Sequence, residues 1–349
     1  MASDLIRRLI DARAFNPTPI GDELIEFYVP FDDVLGNEHT EAALTQAMST
    51  SARAAIVGPS GCGKSSLCEW VLGAPGSAFA ATRVPVAIER DETVTDPQAF
   101  AQHVIRIVSK QANETALISK SDRDAILRGS GDRIVRPGRQ VTKRTGLGFP
   151  DWLLKGELAR EVTDYVESID QPRSATTIVE ALAYLIDLIA YHGLRPVFVI
   201  DDSDSWLNIE GVRDRTALVT DFFGRVLRMM AELPCGLVVA VHTEYLGTPG
   251  FRQAEGFLDR RIDVPELPDQ DGIARLVDHR IRTCDDSAGC RDVFDASAIH
   301  ALFSYYDGAG SGSLRKVMQT AQTALHLADD ADAELVTAQT IESAIAEWS

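Results

Sequence analysis

The stretch AAIVGPSGCGKSSLCEWVL, residues 54–72, decides the fold. A short apolar run, AAIV, ends at a glycine, and the pattern GxxxxGK[ST] follows at residues 58–65, before a helix-like segment. Glycines at 58, 61 and 63 allow a tight turn that points backbone N–H groups inward, and the following helix offers its positive end to an anion. The stretch therefore predicts a phosphate-binding cradle rather than a plain turn between strand and helix.

Two side chains of this cradle are predicted to carry its chemistry. Lys64 should reach the β- and γ-phosphates of a nucleotide, and the Ser65 hydroxyl should ligate Mg²⁺. The residues predicted to line the phosphate site are Gly58, Pro59, Ser60, Gly61, Cys62, Gly63, Lys64, Ser65 and Ser66.

A second apolar run, in PVFVIDDSDSW at residues 196–206, ends in an acidic cluster. Asp201 is predicted to be the carboxylate that organises the metal, at the C-terminal edge of a neighbouring strand. Asp202 is the candidate to orient or deprotonate the attacking water, although its side chain is one methylene shorter than glutamate. A displacement of about 1 Å can cost roughly 10²-fold in rate, so slow turnover is one expectation. Asp204 is either a third member of this cluster or a helix N-cap.

The remaining pattern alternates strands and helices. Short apolar runs rich in β-branched residues occur at 54–58, 83–89, 196–201, 236–242 and 261–264. Helical periodicity fills 176–192 and 215–233. Buried strands separated by helices predict an α/β fold of three layers, a P-loop domain with a parallel five-stranded sheet.

Four further helical segments follow from about residue 269, and they predict a C-terminal all-helical lid domain over 269–349. The P-loop core is predicted to span 31–268. An insertion is expected at about 93–174, because this range is long for a single crossover between strands. Residues 1–30 are predicted to form an N-terminal helical segment.

Composition narrows the setting. No apolar run approaches the ~20 residues that cross a bilayer, and the N-terminus lacks the pattern of a secretory signal, so a cytoplasmic protein with no membrane partner is expected. The five cysteines form no CxxC pair and are interpreted as free thiols, although Cys284 and Cys290 could bridge in an oxidising setting.

The charge balance bears on nucleic-acid partners. A formal net charge of -18 opposes non-specific attraction to a polyanion. DNA therefore stays an alternative partner that the overall charge does not support. The best local basic patch lies within the predicted insertion, where it is either a solvated loop or a contact for DNA, RNA or an acidic partner. It comprises Arg128, Arg133, Arg136, Arg139, Lys143 and Arg144.

Four segments around these motifs resemble the AAA+ ATPase superfamily, and within it the origin-recognition or initiator-like ATPases and the STAND signalling ATPases. They are FDDVLGNEHTEAAL at 31–44, VVAVHTEY at 238–245, FLDRRIDVPEL at 257–267 and GSGSLRKVMQTA at 310–321. The first segment departs from the superfamily pattern, because Asn37 stands where an arginine is usual.

The resemblance implies roles for particular residues. Val34, Leu35 and Gly36 would form an apolar wall beside the adenine base, with ordinary helix packing as the alternative. Thr243 would be the polar sensor after the fourth strand.

Three arginines acquire roles through the same resemblance. Arg260 and Arg261 are candidates to reach the γ-phosphate of a neighbouring subunit, unless they form surface ion pairs with Asp259 or Asp263. Arg315, in a helix that Ser313 would cap, would draw the lid onto bound nucleotide.

Together these features predict an ATPase that binds ATP or ADP and hydrolyses Mg-ATP to drive assembly or conformational change of a partner complex. The resemblance implies a homo-oligomer or another protein partner. One alternative is a nucleotide-gated switch or scaffold with negligible hydrolysis. Another is a DNA-associated regulator of the initiator or transposition type.

Overall fold

The computed structural model describes residues 2–19, 22–35, 39–73, 78–86, 95–114, 175–191, 193–201, 203 and 215–348. The chain divides into two units. The helical unit comprises Met1–Ala42, Gly58–Leu67 and Asp263–Ser349, and the sheet unit comprises Ala43–Val57 and Cys68–Ile262.

The elements are named here in chain order. The first half contains α1 (Ala2–Asp11), α2 (Asp22–Glu26), α3 (Phe31–Leu35), α4 (Thr40–Ser49), β1 (Arg53–Val57), α5 (Lys64–Gly73), β2 (Phe79–Pro85), α6 (Pro97–Glu114) and α7 (Ala175–Tyr191). The second half contains β3 (Arg195–Asp201), α8 (Arg215–Asp221), α9 (Leu227–Ala231), β4 (Gly236–Val241), α10 (Pro249–Glu255), β5 (Arg260–Asp263), α11 (Gln270–Cys284), α12 (Ala296–Asp307), α13 (Leu314–Asp330) and α14 (Ala338–Ala346). A π-helical turn, Phe222–Val226, joins α8 to α9, and 3₁₀ turns occupy Thr243–Tyr245 and Cys290–Asp292.

Five strands form one sheet in the order β2-β3-β4-β1-β5. β1 pairs with β4, β4 with β3, and β3 with β2, each in parallel register. The predicted α/β fold, with a five-stranded parallel sheet and a C-terminal helical part, is confirmed. One detail differs from expectation, because β4 separates β3 from the cradle strand β1.

Both faces of the sheet are covered, which explains why its strands are continuous apolar runs instead of alternating patterns. In β1, β3 and β4, six apolar side chains on each face are at most 2% exposed. One face carries Ala55, Val57, Phe198, Ile200, Leu237 and Val239, and the other carries Ala54, Ile56, Val197, Val199, Val238 and Ala240.

The second strand lies earlier in the chain than its sequence predicts. The apolar run at 83–89 predicted β2, whereas the strand begins at Phe79 and pairs with β3 through Pro85. Its first residues, FAAT, have little β-branched character. Pairing with a buried neighbour outweighs intrinsic strand preference here, because β propensity largely reflects packing.

The predicted insertion begins with a core element. α6 lies inside the range 93–174, and its Phe100, Val104 and Val108 are fully buried in the core of the sheet unit. Residues 115–174, which include the basic patch, lie outside the described residues.

The N-terminal helix packs in the helical unit. Leu5, Ile6 and Leu9 of α1 are buried in a core shared with α11, α12, α13 and α14. On its polar side Arg7 pairs with Asp329 of α13 at 2.8 Å, and Arg8 pairs with Asp285 at 2.7 Å. Residues 1–30 therefore contribute to the same unit as the C-terminal helices.

Arg280 of α11 binds the segment that follows α1. Its guanidinium donates to the carbonyl oxygens of Ala14 at 3.2 Å and Asn16 at 3.3 Å, and lies 4.5 Å from the centre of the Phe27 ring. Burial lowers the pKa of Arg280 to about 10. The segment after α1 is thus held to α11 by hydrogen bonds to backbone carbonyls as well as by apolar packing.

Within the described part of the chain, none of the helices is both long and apolar enough to span a membrane.

Candidate nucleotide-binding site

The three glycines of the cradle are each required by its geometry. Gly61 and Gly63 have φ of 77° and 106°, values that residues with a Cβ rarely adopt. Gly58 has no such φ, but a Cβ there would lie 2.5 Å from Cys62 Sγ. The loop therefore bends where the sequence places glycine.

Lys64, the first residue of α5, turns its amino group into the loop. The residue is 5% exposed, and Nζ donates to the carbonyl oxygens of Gly58 at 2.9 Å and Pro59 at 2.8 Å. A buried ammonium needs such partners, because an isolated charge away from water is costly. The arrangement holds a positive charge inside a loop of phosphate-binding shape.

The other cradle residues differ in exposure. Cys62 is buried, Ser60 is exposed, and Pro59, Ser65 and Ser66 are half-buried. The two serines at the start of α5 are thus partly open to solvent.

Helix α13, which belongs to the predicted lid, begins against this cradle, within the helical unit. Ser313 is its N-cap, and Oγ accepts from the Lys316 N–H at 3.4 Å, as the sequence predicts. The Arg315 N–H donates to the Gly61 carbonyl oxygen at 3.1 Å. Arg315 is exposed, so its backbone contacts the cradle while its side chain faces solvent. The cradle thereby satisfies one of the N–H groups that a helix start leaves unpaired.

Two residues of the predicted base wall pack in the helical core. Val34 is 6% exposed, and its carbonyl oxygen accepts from Arg275 Nη1 at 2.8 Å. Leu35 is half-buried against the same cluster. Gly36 lies outside the described residues, so the wall stays a prediction.

Phe31, which the sequence patterns do not single out, lies beside the cradle. A Cβ built on Gly63 would be 3.6 Å from Phe31 Cζ. The Phe31 N–H and the Tyr28 hydroxyl both donate to Glu41 Oε1, at 2.7 and 2.6 Å. The sequence does not reveal this contact, because an aromatic residue ten positions before a glutamate forms no known motif and only the fold brings the two together.

Asp201 ends β3 at the edge of the sheet where β1 also ends. Ile200 pairs with Val239 and Ile56 pairs with Ala240, so Asp201 lies level with Ile56. It is 3% exposed. The prediction that its strand neighbours β1 is wrong, because β4 lies between them. Asp202 and Asp204 lie outside the described residues.

Ser203, two residues after Asp201, is hydrogen-bonded to the end of β4. Ser203 is fully buried, and its Oγ donates to the Ala240 carbonyl oxygen at 2.6 Å. The Tyr245 hydroxyl donates to the Ser203 carbonyl oxygen at 3.1 Å.

Among the described residues, Asp201 lies close to the half-buried Arg83 and the buried Glu69, an arrangement that the sequence patterns do not predict. Arg83 Nη2 lies 2.8 Å from Asp201 Oδ2, and Arg83 Nη1 lies 3.3 Å from Glu69 Oε1. Burial raises the pKa of Glu69; Arg83 opposes this rise and Asp201 adds to it. The sequence contains one indication of this group, because Glu69 and Arg83 are charged residues that each stand within an apolar segment.

The candidate sensor lies directly after β4. Thr243 is exposed and begins a 3₁₀ turn. The preceding His242 is 9% exposed and caps that turn, with Nδ1 accepting from the Glu244 N–H at 3.2 Å.

Arg260 and Arg261 are exposed on β5. Asp259, a candidate ion-pair partner, instead accepts from the Arg53 N–H at 2.8 Å and lies 3.7 Å from Arg53 Nη1. The action of both arginines on a neighbouring subunit stays a prediction.

No family model matches the sequence. No curated protein matches it either. Among solved structures, the chain is similar to the Aeropyrum pernix ORC1 protein in complex with DNA, with 14% sequence identity, a TM-score of 0.49, and coverage of 97% of this chain and 69% of that chain. It is also similar to the Aeropyrum pernix ORC2 protein in ADPNP-ADP complexes, with 13% identity, a TM-score of 0.49, and coverage of 96% and 71%. The order and the parallel pairing of the strands of this chain themselves establish its α/β fold.

Proposed function

We propose that the chain is an AAA+ ATPase that binds ATP or ADP and hydrolyses Mg-ATP, driving assembly or conformational change of a partner complex. The observation that carries this proposal is the cradle: Gly61 and Gly63 at positive φ, with the Lys64 amino group held inside the loop. Backbone N–H groups at the start of a helix, together with an internal ammonium, suit a phosphate chain.

The available donors suit Mg²⁺. A serine hydroxyl at Ser65 and a carboxylate at Asp201 are the hard oxygen ligands that Mg²⁺ prefers, with substrate phosphates and water completing its shell. We propose these two residues as its protein ligands. When bound, the ion neutralises charge on the phosphoryl group that is transferred.

The proposed reaction is in-line attack by water on the γ-phosphate. Lys64 balances charge on the phosphate oxygens, and Asp202 orients the water and holds its proton. Thr243 contacts the γ-phosphate or the water. Arg260 or Arg261 adds positive charge from an adjacent subunit, and Arg315 brings the lid onto the nucleotide.

Calorimetric titration of the purified chain with ATP and with ADP, in the presence of Mg²⁺, tests this proposal. We expect saturable heat with both nucleotides. A flat titration with both would contradict the proposed function as a whole, because every assigned role depends on a bound nucleotide.

A second candidate is a nucleotide-gated switch with negligible hydrolysis. It is favoured by the ion pair between Arg83 and Asp201, which neutralises the carboxylate proposed to hold the metal. The short side chain of Asp202 favours it as well. A DNA-associated role stays a prediction from the basic patch, which lies outside the described residues.

Asp202→Glu separates these two candidates. If the missing methylene limits hydrolysis, we expect the substitution to raise turnover by about 10-fold or more, because a water held about 1 Å closer reacts faster. Phosphate release at saturating Mg-ATP measures the change. Robust turnover in the unsubstituted chain would exclude the switch, and Asp202→Asn provides the matched control in which hydrolysis should fall.

A further inference from the structure

Two buried carboxylates, Glu69 and Asp201, meet the half-buried side chain of Arg83 in the sheet unit. Arg83 pairs with Val199 across the β2–β3 ladder, and Asp201 follows two residues later on the same face of β3. Glu69 reaches the group from α5. The relative exposures are 2% for Glu69, 3% for Asp201 and 18% for the Arg83 side chain.

One guanidinium therefore serves two carboxylates. Arg83 uses Nη2 for Asp201 and Nη1 for Glu69, an arrangement that the planar fork of the guanidinium permits. The contact with Asp201 is the shorter, at 2.8 Å against 3.3 Å. These three side chains together carry one formal negative charge, which favours the approach of a cation to the buried carboxylates.

We propose that Arg83 is an internal counter-ion for Asp201, which a divalent cation displaces and which then remains paired with Glu69. This inference rests on the proposed function, because it takes Asp201 as a metal ligand. A cation at Asp201 repels the guanidinium 2.8 Å from Oδ2. Glu69 already contacts the other nitrogen, so Arg83 keeps a partner when its contact with Asp201 weakens.

Arg83 thus sets how strongly the metal binds. It acts through Asp201 as a positioning residue and has no proposed contact with the nucleotide. Two substitutions should shift metal affinity in opposite directions. Glu69→Gln removes the carboxylate charge that draws Arg83 away from Asp201, so the metal should bind more weakly. Adding Arg83→Met to Glu69→Gln removes the competitor, so the metal should bind more tightly.

The double variant is the sharper test, because its buried formal charge equals that of the unsubstituted chain. In both proteins these three positions carry one net formal negative charge, whereas Arg83→Met alone would raise it to two and endanger folding. A change in affinity between these two proteins therefore reports the competing guanidinium and not the total charge.

The experiment is a Mn²⁺ titration of the ADP-saturated protein, with free Mn²⁺ measured by electron paramagnetic resonance. We expect the dissociation constant for Mn²⁺ to rise about 10-fold in Glu69→Gln and to fall about 10-fold in the double variant, shifts of about 1.4 kcal/mol each. Unfolding temperatures are measured alongside, because a purely structural role would change those and leave Mn²⁺ affinity in place.

Equal or weaker Mn²⁺ binding by the double variant would overturn the inference, and so would unchanged binding by Glu69→Gln. These outcomes differ from failure of the proposed function. If the unsubstituted chain binds no ADP, the proposed function fails and this inference fails with it. If the unsubstituted chain binds ADP and Mn²⁺, and the variants bind Mn²⁺ with the same affinity, only the proposed role of Arg83 is contradicted.

Discussion

Replacing Lys64 by alanine is expected to weaken ATP binding by roughly 10²-fold and to eliminate measurable hydrolysis. The Lys64 amino group is the charge held inside the cradle, bonded to the carbonyl oxygens of Gly58 and Pro59. Bound phosphates would exchange these neutral partners for charge-assisted hydrogen bonds, which are the stronger kind. Alanine removes both the charge and its donors. Calorimetry measures the loss of affinity, and phosphate release measures the loss of turnover.

Lys316→Ala is the matched control for this substitution. Lys316 is also in the helical unit, near the start of α13, but it is exposed. Its amino group lies 3.5 Å from the carbonyl oxygen of Ala309. The change removes one positive charge without touching the cradle, so affinity and turnover should stay near those of the unsubstituted chain. Undiminished hydrolysis by Lys64→Ala would refute the enzymatic assignment.

Gly61→Ala is expected to destabilise the chain by about 2–5 kcal/mol and to impair nucleotide binding. Gly61 has φ of 77°, which costs an L residue about 1–2 kcal/mol. The new Cβ would also strike Ser313 Oγ and lie 2.9 Å from Arg315 Cβ. Relief requires the start of α13 to move away from the loop, which breaks the Arg315 N–H bond to Gly61. Urea denaturation measures the loss of stability.

Alanine substitutions at two other glycines distinguish backbone strain from steric collision. Gly193 has φ of 76°, and no atom of the described residues lies within 4 Å of a built Cβ, so Gly193→Ala should cost only the backbone strain, about 1–2 kcal/mol. Gly247 has no positive φ, and the described part of the chain places no atom within 4 Å of its built Cβ, so Gly247→Ala should be close to neutral. If Gly61→Ala destabilises no more than Gly193→Ala, the contact between the cradle and α13 does not constrain the protein.

The features that sequence patterns predicted well are short-range. The cradle depends on glycine spacing and on the strand and helix at its two ends, all within residues 54–72. The Ser313 cap depends on a hydroxyl three residues before the N–H that it accepts. β2 was misplaced for the converse reason, since its limits follow from pairing with β3 and its own residues carry a weak signal.

By itself the sequence determined the glycine-rich turn, the apolar strands and the acid at the end of β3, because each arises from neighbours along the chain. Only the tertiary structure decided that β4 separates β3 from β1, that α1 packs with the C-terminal helices, and that Arg83 lies between Glu69 and Asp201. The physical reason is that a buried charge must find its partner wherever folding brings one within reach. That partner can come from any part of the chain, so spacing in the sequence does not reveal it.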